Sequence, residues 1–206
     1  MTKLDMKKKN KESSLLNTAF EFFTTKGFSK TSITDIAQKA GVGKGTFYLY
    51  FKDKYDIRNR LIAKKSEQVL MKAVHDLMAH AGEQTFEEKF IFIVNNIIDQ
   101  LDENRSLLSF ISKNLSWGVF TAALESTNLE PELSFREAYY KLLEEHDGPI
   151  SDPEMLLFMI VELVSSTCYS AILYEQPCTL KKLKPQLYAA ILSLLKQFSV
   201  SEAEAK

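Results

Sequence analysis

The segment GVGKGTFYLYF, residues 41–51, places three glycines, a lysine and a threonine directly before an aromatic run. Bare backbone N–H groups beside a cation suit phosphate, so a nucleotide-binding loop is the first chemistry to test. Such a loop needs G-x-x-x-x-G-K-[ST] between a strand and a helix. Here Gly45 follows Gly43-Lys44, so the hydroxyl that would hold magnesium is missing, and Gln38 stands where the first glycine is required. A dinucleotide fingerprint fails as well, because Phe47-Tyr48 falls where the third glycine belongs. Elsewhere, His75, His80 and His146 lack the i, i+4 pairing of a helical metal site, and there is no G-x-S-x-G. Cys168 and Cys178 make neither a CxxC motif nor a disulfide framework and read as reduced thiols. No enzyme activity, metal or cofactor is expected.

The elements around this segment explain it better. The first proline is Pro131, so nothing earlier forbids helix on that ground. Leu15, Leu16, Ala19, Phe20 and Phe23 form a stripe that predicts a helix over 13–26, with Gly27 ending it. Ile33, Ile36, Ala37 and Ala40 predict a second, shorter helix over 32–40, capped by Thr31 or Ser32. Gly41 supplies a tight turn. A third helix starts near Gly43 and buries Phe47 and Phe51, and a long fourth helix runs over 54–80. Two short helices joined by a glycine turn make a helix-turn-helix, whose second helix enters the DNA major groove. Gly43 and Gly45 clear space for the duplex, and the helix N-terminus favours phosphate. Lys44, Thr46, Tyr48 and Tyr50 surround that helix, with Lys54 beyond it. Charge agrees: residues 1–60 carry 13 Lys+Arg against 6 Asp+Glu, and the remainder 13 against 21. The basic part thus suits a polyanion. Lys3, Lys7, Lys8, Lys9 and Lys11 form a basic tail over 1–12, which either touches DNA or stays solvated.

The stretch TSITDIAQKAGVGKGTFYLYFKDKYDI, with LLNTAFEFFTTKGFSKTS before it, resembles the DNA-binding signature of the TetR/AcrR family over about residues 13–60. The resemblance implies an all-α fold, with an N-terminal three-helix DNA-binding domain (13–53) and a C-terminal helical ligand-binding and dimerisation domain (54–206). It also implies a homodimer formed through the last two helices, a small-molecule effector and a double-stranded DNA operator. Carried over residue by residue, Thr31 and Ser32 meet backbone phosphate, and Thr34 matches a position that often reads bases. Lys44, Gly45 and Thr46 match the exposed start of the recognition helix, Tyr48 a phosphate-binding tyrosine, Tyr50 a His/Tyr position and Lys54 a phosphate anchor. Gly43 departs from the pattern, where serine is frequent. Lys44 is then the longest candidate for reading bases, guanine being a plausible partner.

The C-terminal part is less specific. Its helical stripes run over 86–101, 107–115, 117–124, 131–145, 153–174 and 180–198. Phe90, Ile93, Asn96, Ile97, Phe110, Lys113, Asn114, Trp117 and Phe120 form the candidate pocket for a small, largely apolar ligand, with plain core as the alternative. Pro153–Tyr174 is apolar nearly all round and needs burial on two sides. With 180–198 it forms the expected dimer pair, through Glu162, Ser166, Ser170, Leu187, Ile191 and Leu194. Glu162 breaks the longest apolar run, so no membrane span is expected, and the N-terminus has no secretory h-region. The sequence reads as a dimeric, ligand-responsive, cytoplasmic regulator, a repressor of a palindromic operator; the rival is a helical small-molecule-binding protein without DNA binding.

Overall fold

The computed structural model describes residues 3–80, 82–112, 117–118, 120–121 and 134–200. Helix α1 spans Lys3–Thr25, α2 Ile33–Lys39, α3 Lys44–Tyr50 and α4 Lys54–Met78. Helices α5 (Phe86–Glu103), α6 (Arg105–Ser112), α7 (Phe135–Leu143), α8 (Pro153–Tyr174) and α9 (Leu180–Phe198) follow. The only extended pairing among the described residues is an isolated bridge between Ile150 and Ser199.

The first helix starts well ahead of Ser13, which corrects the boundary of the expected tail. Lys, Glu and Met are good helix formers, and no glycine or proline interrupts them. Ser14 is inside the helix, its hydroxyl donating to the Ala40 carbonyl at the end of α2 (3.3 Å). Helix α1 ends where Gly27 takes φ +84°, a conformation open to glycine at little cost.

Helix α2 is bounded at both ends by its own residues. Ser32 and Asp35 form a capping box, each side chain accepting from the other's backbone N–H at 3.1 Å. At the far end Gly41 (φ +70°) donates to Gln38, and Val42 donates to Ala37, the paired bonds of a Schellman turn. Asp53 then caps α4 by accepting from the N–H groups of Tyr55 and Asp56. Leu15, Ala19, Ile36, Phe47, Phe51, Ile57 and Leu61 form the buried core beneath these four helices.

Helix α4 has 25 residues, about 37 Å, and continues from this unit into the second one. There it packs against α5, α6 and α7, while α8 packs on α9 and α6. Helix α6 also touches α1, with Phe110 set edge-on to Phe20 (5.4 Å) and stacked near Phe23 (6.3 Å). Thr85–Glu88 and Ser134–Glu137 are further capping boxes, and Pro153 sits in the first turn of α8 behind the Asp152 cap. By length and composition α8 could cross a bilayer, contrary to the expectation from Glu162. In this fold it lines the interior, with Leu156, Ile160, Val164 and Cys168 buried.

Candidate functional site

Helices α2 and α3 are joined by Gly41-Val42-Gly43, and their outer sides are polar. Ser32, Thr34 and Gln38 are exposed on α2, and Gly43, Lys44, Gly45, Tyr48 and Leu49 on α3. Phe47 is the inward anchor of α3 and Phe51 its buried C-cap, the ring of Phe47 packed against that of Phe51 (5.5 Å) and edge-on to Tyr48 (5.6 Å). Gly43 caps α3 with no side-chain hydrogen bond, as its missing hydroxyl requires. A Cβ added at Gly43 or Gly45 would meet nothing within 4 Å, and neither has a positive φ. The fold itself does not demand glycine there, so what these positions spare is room outside the protein.

Three of the expected contact residues are turned inward. Thr31 is 2% exposed, and its hydroxyl donates to the Gly27 carbonyl at 2.9 Å, which fixes the α1–α2 connection instead of offering a group to phosphate. Lys54 is half-buried. Its ammonium donates to the carbonyls of Phe28 (2.8 Å) and Thr31 (2.9 Å) and lies over the Phe28 ring, leaving one N–H of three for an outside partner. Tyr50 is half-buried against the core, near Phe51. Thr46 is half-exposed. The Ser32 hydroxyl accepts from the Asp35 N–H, and the Ser32 hydroxyl and backbone N–H together hold the Asp35 carboxyl below its ordinary range. Gln38 and Leu49 were missed from the sequence. Gln38 is one turn beyond Thr34, a spacing that could have found it; Leu49 is 80% exposed, and its apolar type gives no signal of an outward place.

A second feature is a cavity of about 440 Å³ between α4, α5, α6, α7 and α8, lined mostly by apolar side chains. Of the expected pocket residues it takes Phe90, Ile93, Ile97 and Phe120. Asn96 is excluded because its amide spans α5 to α4, donating to Asp76 (2.9 Å) and accepting from Gln100 (2.8 Å). Phe110 faces α1, and Trp117, outside the lining, stacks on Phe120 (5.4 Å) and stands edge-on to Phe158 (5.1 Å). Lys113 and Asn114 lie outside the described residues, as do 119 and 122–124. The cavity walls that sequence missed come from α4, α7 and α8: Val69, Val74, Tyr139, Ile160 and Val164 among them. Burial pushes the Tyr139 hydroxyl far above its ordinary range, and it donates to the Pro153 carbonyl at 2.7 Å. His80 and Lys89 also line the cavity, and Lys89 pairs with Glu145 at 2.5 Å.

The expected dimer residues divide. Glu162 and Ser166 are exposed, and Ser170 and Leu194 half-exposed, but Leu187 and Ile191 are buried inside the chain's own core. Their periodic stripe holds α9 to α8. Met155 and Met159 stand exposed with Glu162 and Ser166 at 4-3-4 spacing along α8, and Leu192 is exposed on α9.

Residues 15–61 match the sequence model of "Bacterial regulatory proteins, tetR family". The chain is 27% identical over 152 residues to the fatty acid metabolism regulator protein of Bacillus subtilis (strain 168), covering 64% of this chain and 77% of that one. It is 38% identical over 86 residues to the HTH-type transcriptional regulator YvdT of the same organism, covering 42% and 41%. Among solved structures, a TetR-family transcriptional regulator from Streptomyces coelicolor superposes with a TM-score of 0.66 at 15% identity, over 91% of this chain and 99% of the other. The regulator FadR from Bacillus subtilis, in complex with stearoyl-CoA, superposes with a TM-score of 0.56 at 21% identity, over 88% and 97%. Residues 15–61 thus carry the DNA-binding segment described by the tetR-family model, and the whole chain shares the fold of solved TetR-family regulators.

Proposed function

We propose that this chain is a dimeric repressor that reads a two-fold symmetric DNA site through α3 and leaves it when an acyl-CoA occupies the cavity. The observation that carries the DNA half is the α2–α3 unit. Its inner side is closed by Phe47 and Phe51, while its outer side presents Ser32, Thr34, Gln38, Lys44 and Tyr48 around a backbone left bare at Gly43 and Gly45. Lys44 and Thr46 read base edges, Tyr48 and Ser32 meet phosphate, and Leu49 offers an apolar contact of the kind a thymine methyl accepts. Lys54 acts mainly as a staple for the α1–α2 connection, with its remaining N–H toward phosphate.

The ligand half is supported by the long apolar cavity and by the similarity to a fatty acid metabolism regulator and to a FadR structure holding stearoyl-CoA. Helix α6 offers the route between the two halves: Ile111 and Ser112 line the cavity, and Phe110 touches α1. The partner surface is the stripe of Met155, Met159, Glu162 and Ser166 on α8 with Leu192 on α9, which completes a four-helix arrangement across a two-fold axis. The experiment is fluorescence anisotropy on a labelled duplex drawn from the DNA flanking the gene. Salt-sensitive, sequence-specific binding that hexadecanoyl-CoA reverses is expected; binding indifferent to every acyl-CoA would remove the ligand half.

A further inference from the structure

One polar atom in the cavity has no role in the reading above. Ser66 on α4 is 6% exposed and lines the cavity, and its hydroxyl has no hydrogen-bond partner. It is the one buried side-chain nitrogen or oxygen among the described residues left in that condition. A helical serine can return its proton to a carbonyl one turn back, and this one does not. None of the other lining residues, Ser112 and Ser165 included, gives it a side-chain partner.

The position of Ser66 gives its hydroxyl meaning. The exposed lining residues Met78, His80, Gly82, Lys141 and Glu145 gather where α4 ends and α7 ends, so the cavity opens there. Helices α4 and α5 run antiparallel, tied by Gln100 donating to the Val69 carbonyl (3.0 Å) and Asn96 to Asp76. The wall from Met78 back to Ser66, and from Lys89 forward to Leu101, is about 18 Å of helix on each side. Lys89 and Lys141 put cations near the mouth, and Ser66 puts a hydroxyl at the inner end. An all-hydrocarbon tail reaching that end would seal the hydroxyl from water with nothing to bond, whereas an oxygen on the tail would satisfy it.

We infer that the cavity selects acyl chains carrying a hydrogen-bonding oxygen at the end remote from the head, as ω-hydroxy and ω-oxo chains do, and that Ser66 is the residue that reads it. This rests on the acyl-ligand reading of the cavity. Dodecanoyl-, tetradecanoyl- and hexadecanoyl-CoA, each beside its ω-hydroxy counterpart, are titrated by calorimetry into the full-length protein and into Ser66→Ala, with DNA binding as the check that the variant is folded. At the chain length that reaches Ser66, the wild type binds the ω-hydroxy thioester about tenfold more tightly than the plain one. Ser66→Ala loses that preference and binds the plain chain at least as well as the wild type does. A wild type that favours the plain chain at every length, or a Ser66→Ala variant that keeps the preference, overturns the role of Ser66 while leaving the acyl site intact. If no thioester of either kind binds, the acyl-ligand reading itself falls.

Discussion

Thr31 and Lys44 both come from the stretch whose residue types point to DNA, yet they face opposite ways. Thr31 spends its hydroxyl on Gly27 inside the domain, while Lys44 is fully outward at the start of α3. Type and position in a motif do not separate these roles; burial does. Lys44→Ala is therefore expected to cost about 1–3 kcal/mol in specific binding and to relax preference at its base position. Thr31→Val should instead lower the melting midpoint, by about 1 kcal/mol or more of stability, and leave the salt slope of DNA binding unchanged. Duplex binding across a salt series, beside thermal unfolding, checks both. Asp35 makes a pH prediction at this same scale. Its carboxyl is held below its ordinary value near 3.8 by the Ser32 hydroxyl and backbone N–H. A depressed folded-state value stabilises α2 above the ordinary value, and the stabilisation is lost as pH falls through the lower one. Acid unfolding below about pH 4 should thus be steeper for the wild type than for Asp35→Asn, which circular dichroism would read.

Among elements, the bounds of α2 and the start of α4 were legible because Ser32 with Asp35, Gly41 and Asp53 are local signals, whereas α1, with no such signal at its start, begins ahead of its expected bound. Helix α8 was legible as a helix for the same reason, but not in its use. An all-apolar helix needs two sides covered, and sequence alone cannot say that one of them faces a cavity. Asn96 failed for a related reason: its place on an apolar stripe suggested a pocket, whereas Asp76 and Gln100, distant in sequence or a turn away, claim its amide. Phe110 likewise was read as pocket and belongs to the seam between α6 and α1. If that seam carries the ligand signal, Phe110→Ala leaves acyl-CoA binding within a few-fold of the wild type but strongly weakens release from DNA. Calorimetry paired with anisotropy tests this, and normal release in a folded variant would place the coupling elsewhere. The variant should also lose about 3–5 kcal/mol of stability from the emptied space, so both assays belong well below its melting midpoint.

For the whole molecule, the charge split and the two structural units agree: the basic part carries the outward-facing α2–α3 surface, and the acidic part encloses the cavity. On α8 and α9 the single chain leaves Met155, Met159 and Leu192 exposed. Met159→Glu with Leu192→Glu is expected to shift the protein to a monomer in sedimentation while sparing its helical content, because both side chains already stand partly in water. An unchanged dimer would move the interface to another face. Two-fold symmetric reading of DNA is tested most directly by selection of bound duplexes from a random-sequence library. The expected result is an enriched site of two inverted half-sites, with Lys44→Ala relaxing matching positions in both. Enrichment of no sequence, or of a single half-site without its inverted mate, would contradict it.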